Sequence, residues 1–400
     1  MIKTFLFISL TLFCFAASAQ TFTTIKENPI TSVKDQHKSG TCWDYATLGF
    51  VESEILRTSG KTYDLCEMFV ANKDYMDCAT HHVRMHGFSQ ICEGGSADDV
   101  FEVIKKYGIC PEDAMPAPGS LVGDSLANFE EFRKDFKKIV KYYGTGNNHI
   151  FPADTMGGLE YFVRTIPGWQ DSVQNVIDRF IGKCPESFIY DDKTYTPKTF
   201  AASLGIDWNN YISLTSFTHH PFYEDFVIES PHKWRMRPSF NLPIDRLMTI
   251  LDNAIMKGYC VAWGGDVSGV FEKRDGEYVT KSDFNNNGIA KLPNSLFFMV
   301  RPPDPEWCEG CIIDYDIEGL IQNYRQKKWD NWTFTYDHVM LIYGIAKGSD
   351  RQKYYMVKNS WGSQYGYKGI WYMSEDYIKL NTTYLFLCKD AISKKLMKRP

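Results

Sequence analysis

The chain has 400 residues, a formal charge of −5 and a sequence pI near 6.0, a balance that creates no positive field to recruit nucleic acid or an anionic membrane surface. Hydrophobic residues make up 44% and aromatic residues 15%, enough to fill a large core, so a disordered or fibrous chain is excluded. At about 150 residues per unit the length predicts two to three structural units, and no internal repeat or low-complexity tract marks them off.

Met1-Ile2-Lys3, an apolar stretch from Phe5 to Phe15 and Ala17-Ser18-Ala19 before Gln20 read as a cleavable signal peptide over residues 1–19. The apolar run is shorter than the ~20 residues that span a bilayer, which argues against a membrane anchor. The remaining chain is therefore expected to be secreted or periplasmic.

Next comes Gln36-His37-Lys38-Ser39-Gly40-Thr41-Cys42-Trp43. From Cys42 to Arg57 the chain places Leu48, Val51 and Ile55 on one helical face, contains no proline and meets a stop at Gly60. Cys42 thus opens a helix, where unsatisfied N–H groups and the macrodipole favour a thiolate, the nucleophilic form of cysteine. An amide at Gln36 can donate a hydrogen bond to the oxyanion formed when such a thiolate attacks a carbonyl.

Residues 115–242 are expected to be mostly helical. Phe129, Phe132, Phe136, Ile139 and Tyr143 recur at helical spacing, with Ser125 as N-cap and Gly144 past the end. A second helix carries Val173, Val176, Ile177 and Phe180, and a short third one runs from Pro197 to Leu204 between Thr196 and Gly205. These stripes are read as core, without chemistry. A further helix, Pro243 to Lys257, leads through Gly258 into a strand, Tyr259 to Trp263, where a β-rich region begins.

Several motifs carry weaker signals. Cys66, Cys78, Cys92 and Cys110 crowd the first part, and export would permit disulfides whose connectivity spacing does not decide. Cys308-Glu309-Gly310-Cys311 is a lone Cys-x-x-Cys pair. His81, His82 and His86, and the pair His219-His220, lack the glutamate of a His-Glu-x-x-His motif, so no metal is assigned. Asp283 to Gly288 begins like a calcium loop but has Asn294 where a bidentate Glu belongs, and a polar turn is preferred. Asn331-Trp332-Thr333 and Asn381-Thr382-Thr383 are formal glycosylation sequons.

Near the end, Asp337-His338 opens the apolar run Val339 to Ala346, a turn follows at Lys347-Gly348-Ser349-Asp350, and a second strand Tyr354 to Lys358 delivers Asn359-Ser360-Trp361-Gly362. The two runs make a hairpin. Its midpoint sets His338 opposite Asn359, whose amide oxygen can fix the imidazole tautomer and leave the other ring nitrogen for a thiol. Trp361 is placed to shield that bond from water.

Gln36, Cys42-Trp43, Asp337-His338 and Asn359-Ser360-Trp361-Gly362, in this order, resemble the papain-like cysteine peptidases. Cys92-Glu93-Gly94-Gly95 resembles that family's Cys-x-Gly-Gly segment, which implies substrate binding at Gly94 and a backbone contact at Gly95. Ser39 stands where the common papain form has a cysteine, so that disulfide cannot form. Leu65 to Val70, Glu93 to Ala97, Ile104 to Gly108 and Val261 to Val267 are similar to the bleomycin hydrolase and bacterial aminopeptidase C branch. His338 follows Cys42 by 296 positions (338 minus 42), about twice the ~130–150 of the papain pattern, so something large is inserted.

The resemblance implies an α+β, papain-like fold with a helical half and a β-barrel half, enlarged by a mostly helical insertion. The expected units are the signal peptide 1–19, a helical half 20–114 with the nucleophile, an insertion 115–242, a β-barrel half 243–388 with His338 and Asn359, and a tail 389–400. It also implies a Cys42-His338-Asn359 site with Gln36 as oxyanion donor, peptide substrates, no cofactor and a homo-oligomer, by family a hexamer with enclosed active sites. Only a short segment precedes Gln36, leaving no room for an inhibitory propeptide, and family restraint comes instead from a C-terminal arm lying in the cleft. The short tail after Cys388 leaves two readings open, an aminopeptidase first and an endopeptidase with an open cleft second. Asp44, where the family has an apolar residue, keeps a third, a non-catalytic peptide-binding relative, because an acid there would oppose a thiolate.

Overall fold

The computed structural model describes residues 20–91, 93–115, 121–122, 126–146, 168–268, 270–274, 277–281, 287–292 and 317–399. Residues 1–19, read as a signal peptide, and Cys92, Ser125, Asp283 to Asn286, Asn294 and the Cys308/Cys311 pair lie outside them. Among the described residues no helix is long and apolar enough to cross a membrane.

Helix α1 (Cys42–Ser59) begins at the expected residue and ends on Gly60, whose φ of 71° is the left-handed conformation that suits glycine. It is buried on nearly every side rather than on one face, with Thr47 and Ser53 hydroxyls donating back to Trp43 O and Gly49 O at 2.6 and 2.7 Å. Helices α2 (Glu67–Arg84) and α3 (Ala97–Tyr107) pack beside it, and α3 starts on a Ser96/Asp99 capping box. In the insertion, α4 (Glu130–Lys141) and α5 (Trp169–Ile181) pack on each other and on α2, and α6 (Pro197–Ser203) carries the Thr196 cap. Helix α4 starts later than its aromatic spacing suggested, because Phe129 N–H donates to Lys38 O at 3.1 Å and the Asn128 side-chain Oδ1 accepts from Glu130 N–H. Three more helices follow among the described residues: α7 (Ile244–Met256), α8 (Ile317–Asp330) and α9 (Glu375–Asn381).

Ten strands form one mixed sheet: β1 (Phe22–Glu27), β2 (Tyr211–Thr215), β3 (Asp225–Phe226), β4 (Ser239–Asn241), β5 (Val261–Gly265), β6 (Ile289–Ala290), β7 (His338–Gly348), β8 (Lys353–Lys358), β9 (Ile370–Ser374) and β10 (Thr382–Cys388). The order is β6-β9-β8-β7-β5-β10-β2-β4-β3, with β1 pairing the second half of β7. The fold class is the expected α+β, but among the described residues the sheet runs from β6 to β3 without closing, so the expected barrel half is an open sheet. Both faces of this sheet are covered. In β7, Val339, Leu341 and Tyr343 enter the core shared with α1 to α3, whereas Met340 and Ile342 enter a second core with α7 and α9. A bulge between Ile342 and Gly344 then reverses the alternation, sending Ile345 to the second core and Ala346 to the first. Burial on both faces explains why β7 reads as a continuous apolar run.

The segment 230–237 ties the insertion to the helical part. Lys233 pairs with Asp98, and Arg235, which is half-buried, reaches Asp74, Asp77 and Asp99 at 2.7, 3.0 and 3.2 Å, while Arg237 meets Glu102 at the surface. Cys42, Cys66, Cys110, Cys184, Cys260 and Cys388 are free thiols, and Cys66 hydrogen-bonds Cys110 rather than bridging to it. The second sequon is closed to modification in the folded chain, since Asn381 is buried and accepts from Lys328 Nζ at 3.1 Å.

Arg235→Ala leaves the buried carboxylates of Asp74 and Asp99 without their shared cation, Asp77 keeping Lys106, and is expected to cost about 3 kcal/mol in urea unfolding. Arg237→Ala, which opens a solvated pair, is expected to cost under about 1 kcal/mol. Equal losses for the two variants would contradict this account of the segment.

Candidate active site

Cys42 is the first residue of α1 and only 9% exposed. The turn before it is held by Gly40 at φ 68° and by a 2.5 Å bond between the Ser39 and Thr41 hydroxyls, so Ser39 serves the turn that a disulfide cysteine serves elsewhere. His338 opens β7, as expected, and its Nε2–H donates to Asn359 Oδ1 at 2.8 Å. The register differs from the symmetric hairpin. The last ladder pair is Leu341 with Lys358, so Asn359 lies diagonal to His338, because the bulge and a later turn shift the pairing. Asn359 still reaches the imidazole because it leaves the ladder there, with Oδ1 also accepting from Ser360 N–H at 2.8 Å. The Trp361 ring sits 4.9 Å from that of His338, centroid to centroid, beside the bond it is expected to shield.

Gln36 is tied to the same loop. Its N–H donates to Ser360 O at 2.8 Å, Ser360 Oγ–H donates to Gln36 Oε1 at 2.6 Å, and Asp35 bridges to Trp361. With Oε1 occupied, the side chain's remaining end is its donor, the amide nitrogen.

Cys42, His338, Gly94 and Gly95 line one cleft of about 340 Å³, whereas Gln36, Asn359 and Trp361 are not among its lining residues. Trp43 Nε1 donates to Glu93 O at 2.8 Å, fixing the Glu93-Gly94-Gly95 segment on α1. Sequence reasoning gave these glycines to an approaching peptide, yet the chain itself already requires them. A Cβ on Gly95 would stand 2.8 Å from the Trp43 ring, and one on Gly94 only 2.1 Å from His232 Nδ1. The Gly95 carbonyl accepts from Tyr336 Oη. His232, Tyr336 and the Arg133–Glu93 ion pair are cleft features that sequence reading missed. The signal for Tyr336 was its closeness to His338, while His232 and Arg133 lie in segments read only as packing. Past His232 and Tyr336 the cleft adjoins an apolar cavity of about 540 Å³ lined by Pro231, Trp329, Trp332 and Phe334.

Charge in the cleft is controlled by burial. Burial pushes the Cys42 thiol up to about 12; N–H groups of Val339, Trp43 and Cys42 itself pull the other way, and the Asp337 carboxylate adds to the rise. The backbone N–H groups at the helix end therefore act in the direction expected of them, against the desolvation that disfavours the thiolate. The acid acting on Cys42 is Asp337 and not Asp44. Asp44 is buried between α1 and α2, held well above the usual carboxylate range by burial and by Glu67 and Asp74. Burial also pushes His338 down to about 4, partly offset by Asn359.

Residues 19–149 match the papain family cysteine proteases and residues 315–399 the peptidase C1-like family. Aminopeptidase C of Lactobacillus helveticus is 22% identical over 96% of this chain and 87% of its own length. Aminopeptidase C of Listeria monocytogenes is 22% identical over 91% and 82%. The crystal structure of PepW from Lactobacillus rhamnosis superposes with a TM-score of 0.64 at 18% identity, covering 94% of this chain and 83% of that one, which establishes a shared fold. The chain is a cysteine-type peptidase of the papain-like class. Within that class it is similar over nearly its whole length to the proteins called aminopeptidase C, and the non-catalytic reading that rested on Asp44 is set aside.

Because His338 titrates near 4 in the folded chain and near 6.5 when unfolded, the unfolded state binds more protons between those values. Stability is then complete above pH 6.5 and lost as pH falls towards 4, by up to about 3 kcal/mol. His338→Gln should flatten that part of the stability–pH curve measured by denaturant unfolding. An unchanged slope would show that His338 is charged in the native state.

Proposed function

We propose that the chain is an exported aminopeptidase that removes N-terminal residues from peptides by acyl transfer through Cys42, His338 and Asn359. Binding of substrate excludes water from the cleft, and the Cys42 proton passes to His338 Nδ1, so that two charges costly alone form a compensating pair. The thiolate attacks the scissile carbonyl, and the Cys42 N–H and Gln36 amide bind the oxyanion. His338 then gives its proton to the leaving amine, and the same imidazole activates the water that hydrolyses the thioester. Asn359 keeps the proton on Nε2 and the lone pair on Nδ1.

The observation that carries the exopeptidase part is the cover on Gly94 and Gly95. His232 packs on Gly94 and Tyr336 occupies the Gly95 carbonyl, so the backbone edge along which a longer peptide would extend is already in use. A chain ending one residue beyond the scissile bond fits, and the adjoining aromatic cavity suits a large apolar side chain. The whole-length relatives called aminopeptidase C support this reading. An endopeptidase is favoured by one fact. Leu396 and Met397 pack on the second core and Arg399 pairs with Glu224 at 3.1 Å, so no described tail residue enters the cleft as a family arm would.

An aminoacyl-amidomethylcoumarin with a free amine should be cleaved at least about a hundredfold faster than its amine-blocked form, and Cys42→Ala should cleave neither. Gln36→Ala should lower kcat by about 10²–10³, and His232→Gly should raise activity on the blocked substrate. Faster cleavage of the blocked substrate by the unmodified protein would establish the endopeptidase instead.

A further inference from the structure

Outside the cleft, His219, His220 and Glu229 bring three ligand atoms within 4.8 Å of one another. His219 Nε2 lies 3.0 Å from Glu229 Oε2, and His220 Nε2 lies 3.0 Å from Glu229 Oε1. The pair of histidines is visible in the sequence, but the glutamate nine residues on becomes a neighbour only because β3 turns the chain back.

The hydrogen bonds behind His219 decide what its Nε2 can be. Gln326, which is buried, holds its amide in one orientation: Oε1 accepts from Thr218 N–H at 2.7 Å, and Nε2 donates to Asp330 Oδ1 at 2.8 Å. His219 Nδ1, 3.1 Å from that same Oε1, must therefore be the donor. In the neutral ring this leaves Nε2 with a lone pair aimed at a carboxylate oxygen 3.0 Å away. Two acceptors at hydrogen-bond distance need a cation between them, either a second proton or a metal ion. Fixing one ring nitrogen by a hydrogen-bonding partner so that the other faces outward is the arrangement that orients metal-bound histidines.

The scaffold is set in advance. His220 stacks on Phe226 at 4.2 Å and 22°, and its carbonyl accepts from Asn241, a fully buried side chain that also bonds Phe217 O and Pro221 O. We propose that His219, His220 and Glu229 bind a divalent ion of the zinc class. Two imidazole nitrogens and one carboxylate oxygen match its preference, with bonds of about 2.0–2.2 Å and a fourth position left for water. Glu229 stands three residues before His232 and lines the aromatic cavity beside the cleft. The ion would thus pin the start of the segment that covers Gly94, a positioning role.

The test uses the full chain carrying Cys42→Ala, so that the cleft thiol takes up no metal, stripped with a chelator and titrated with zinc. One ion per chain should bind and raise Tm. Glu229→Gln and His220→Ala should each weaken binding by at least about tenfold, the range seen when even supporting partners of a metal site are lost. Cobalt in place of zinc should give ligand-field bands without sulfur-to-cobalt charge transfer. Absent binding, binding unchanged by both variants, or a sulfur charge-transfer band would overturn the proposal, the first meaning that a proton alone joins His219 to Glu229.

Discussion

The candidate site depends on one stitch between the two ends of the chain. Gln36 and Ser360 are joined by a backbone bond and a side-chain bond, with Asp35 bridging to Trp361 beside them. These bonds are buried, so they are made in a low dielectric where breaking one leaves an unsatisfied polar group. Through them the loop leading to Cys42 and the loop leaving β8 become one rigid piece. The Gln36 amide is oriented, Asn359 is held under His338, and the thiol at the start of α1 faces the first residue of β7.

Burial is the second constraint, and it acts on chemistry as much as on stability. A sheet covered on both faces and a helix buried all round leave Cys42 and His338 with little water, which disfavours either charge alone. The same dryness makes a thiolate–imidazolium pair worth more once formed, because the two charges are poorly screened. Behind Asn359 and Ser360 lies a buried ionic nest in which Lys358 donates to Thr31, Thr31 donates to Glu52, and Lys34 pairs with Glu67. Glu52 also accepts from Leu65 N–H, so the nest braces the loop behind the site.

What could be read in the sequence follows from the range of the forces involved. The start of α1 at Cys42, its stop at Gly60, the Thr196 cap and the His338 strand are local events, governed by capping, turn chemistry and periodicity. The hairpin was legible as a hairpin but its register was not, since one bulge moves the pairing and no residue in the run announces it. The thiol's surroundings were only half legible for a similar reason: the helix end that favours a thiolate is local and visible, whereas the burial that opposes it comes from tertiary packing. Asp44 illustrates the converse. It stands next to Trp43 in sequence, but the helix turns it away into the α1–α2 interface.

The sequence by itself determined the reacting groups, their order and the elements that carry them, because each is encoded by a short motif with its own local physics. Only the tertiary structure decided how the cleft is bounded. His232 reaches Gly94 because Lys233 and Arg235 bind acids on α2 and α3 more than a hundred residues earlier in the chain. Glu229 meets His219 and His220 because β3 folds back between them, and the tail settles on the second core through Leu396 and Met397. Such contacts depend on charge matching and burial between distant segments, which no window along the chain contains.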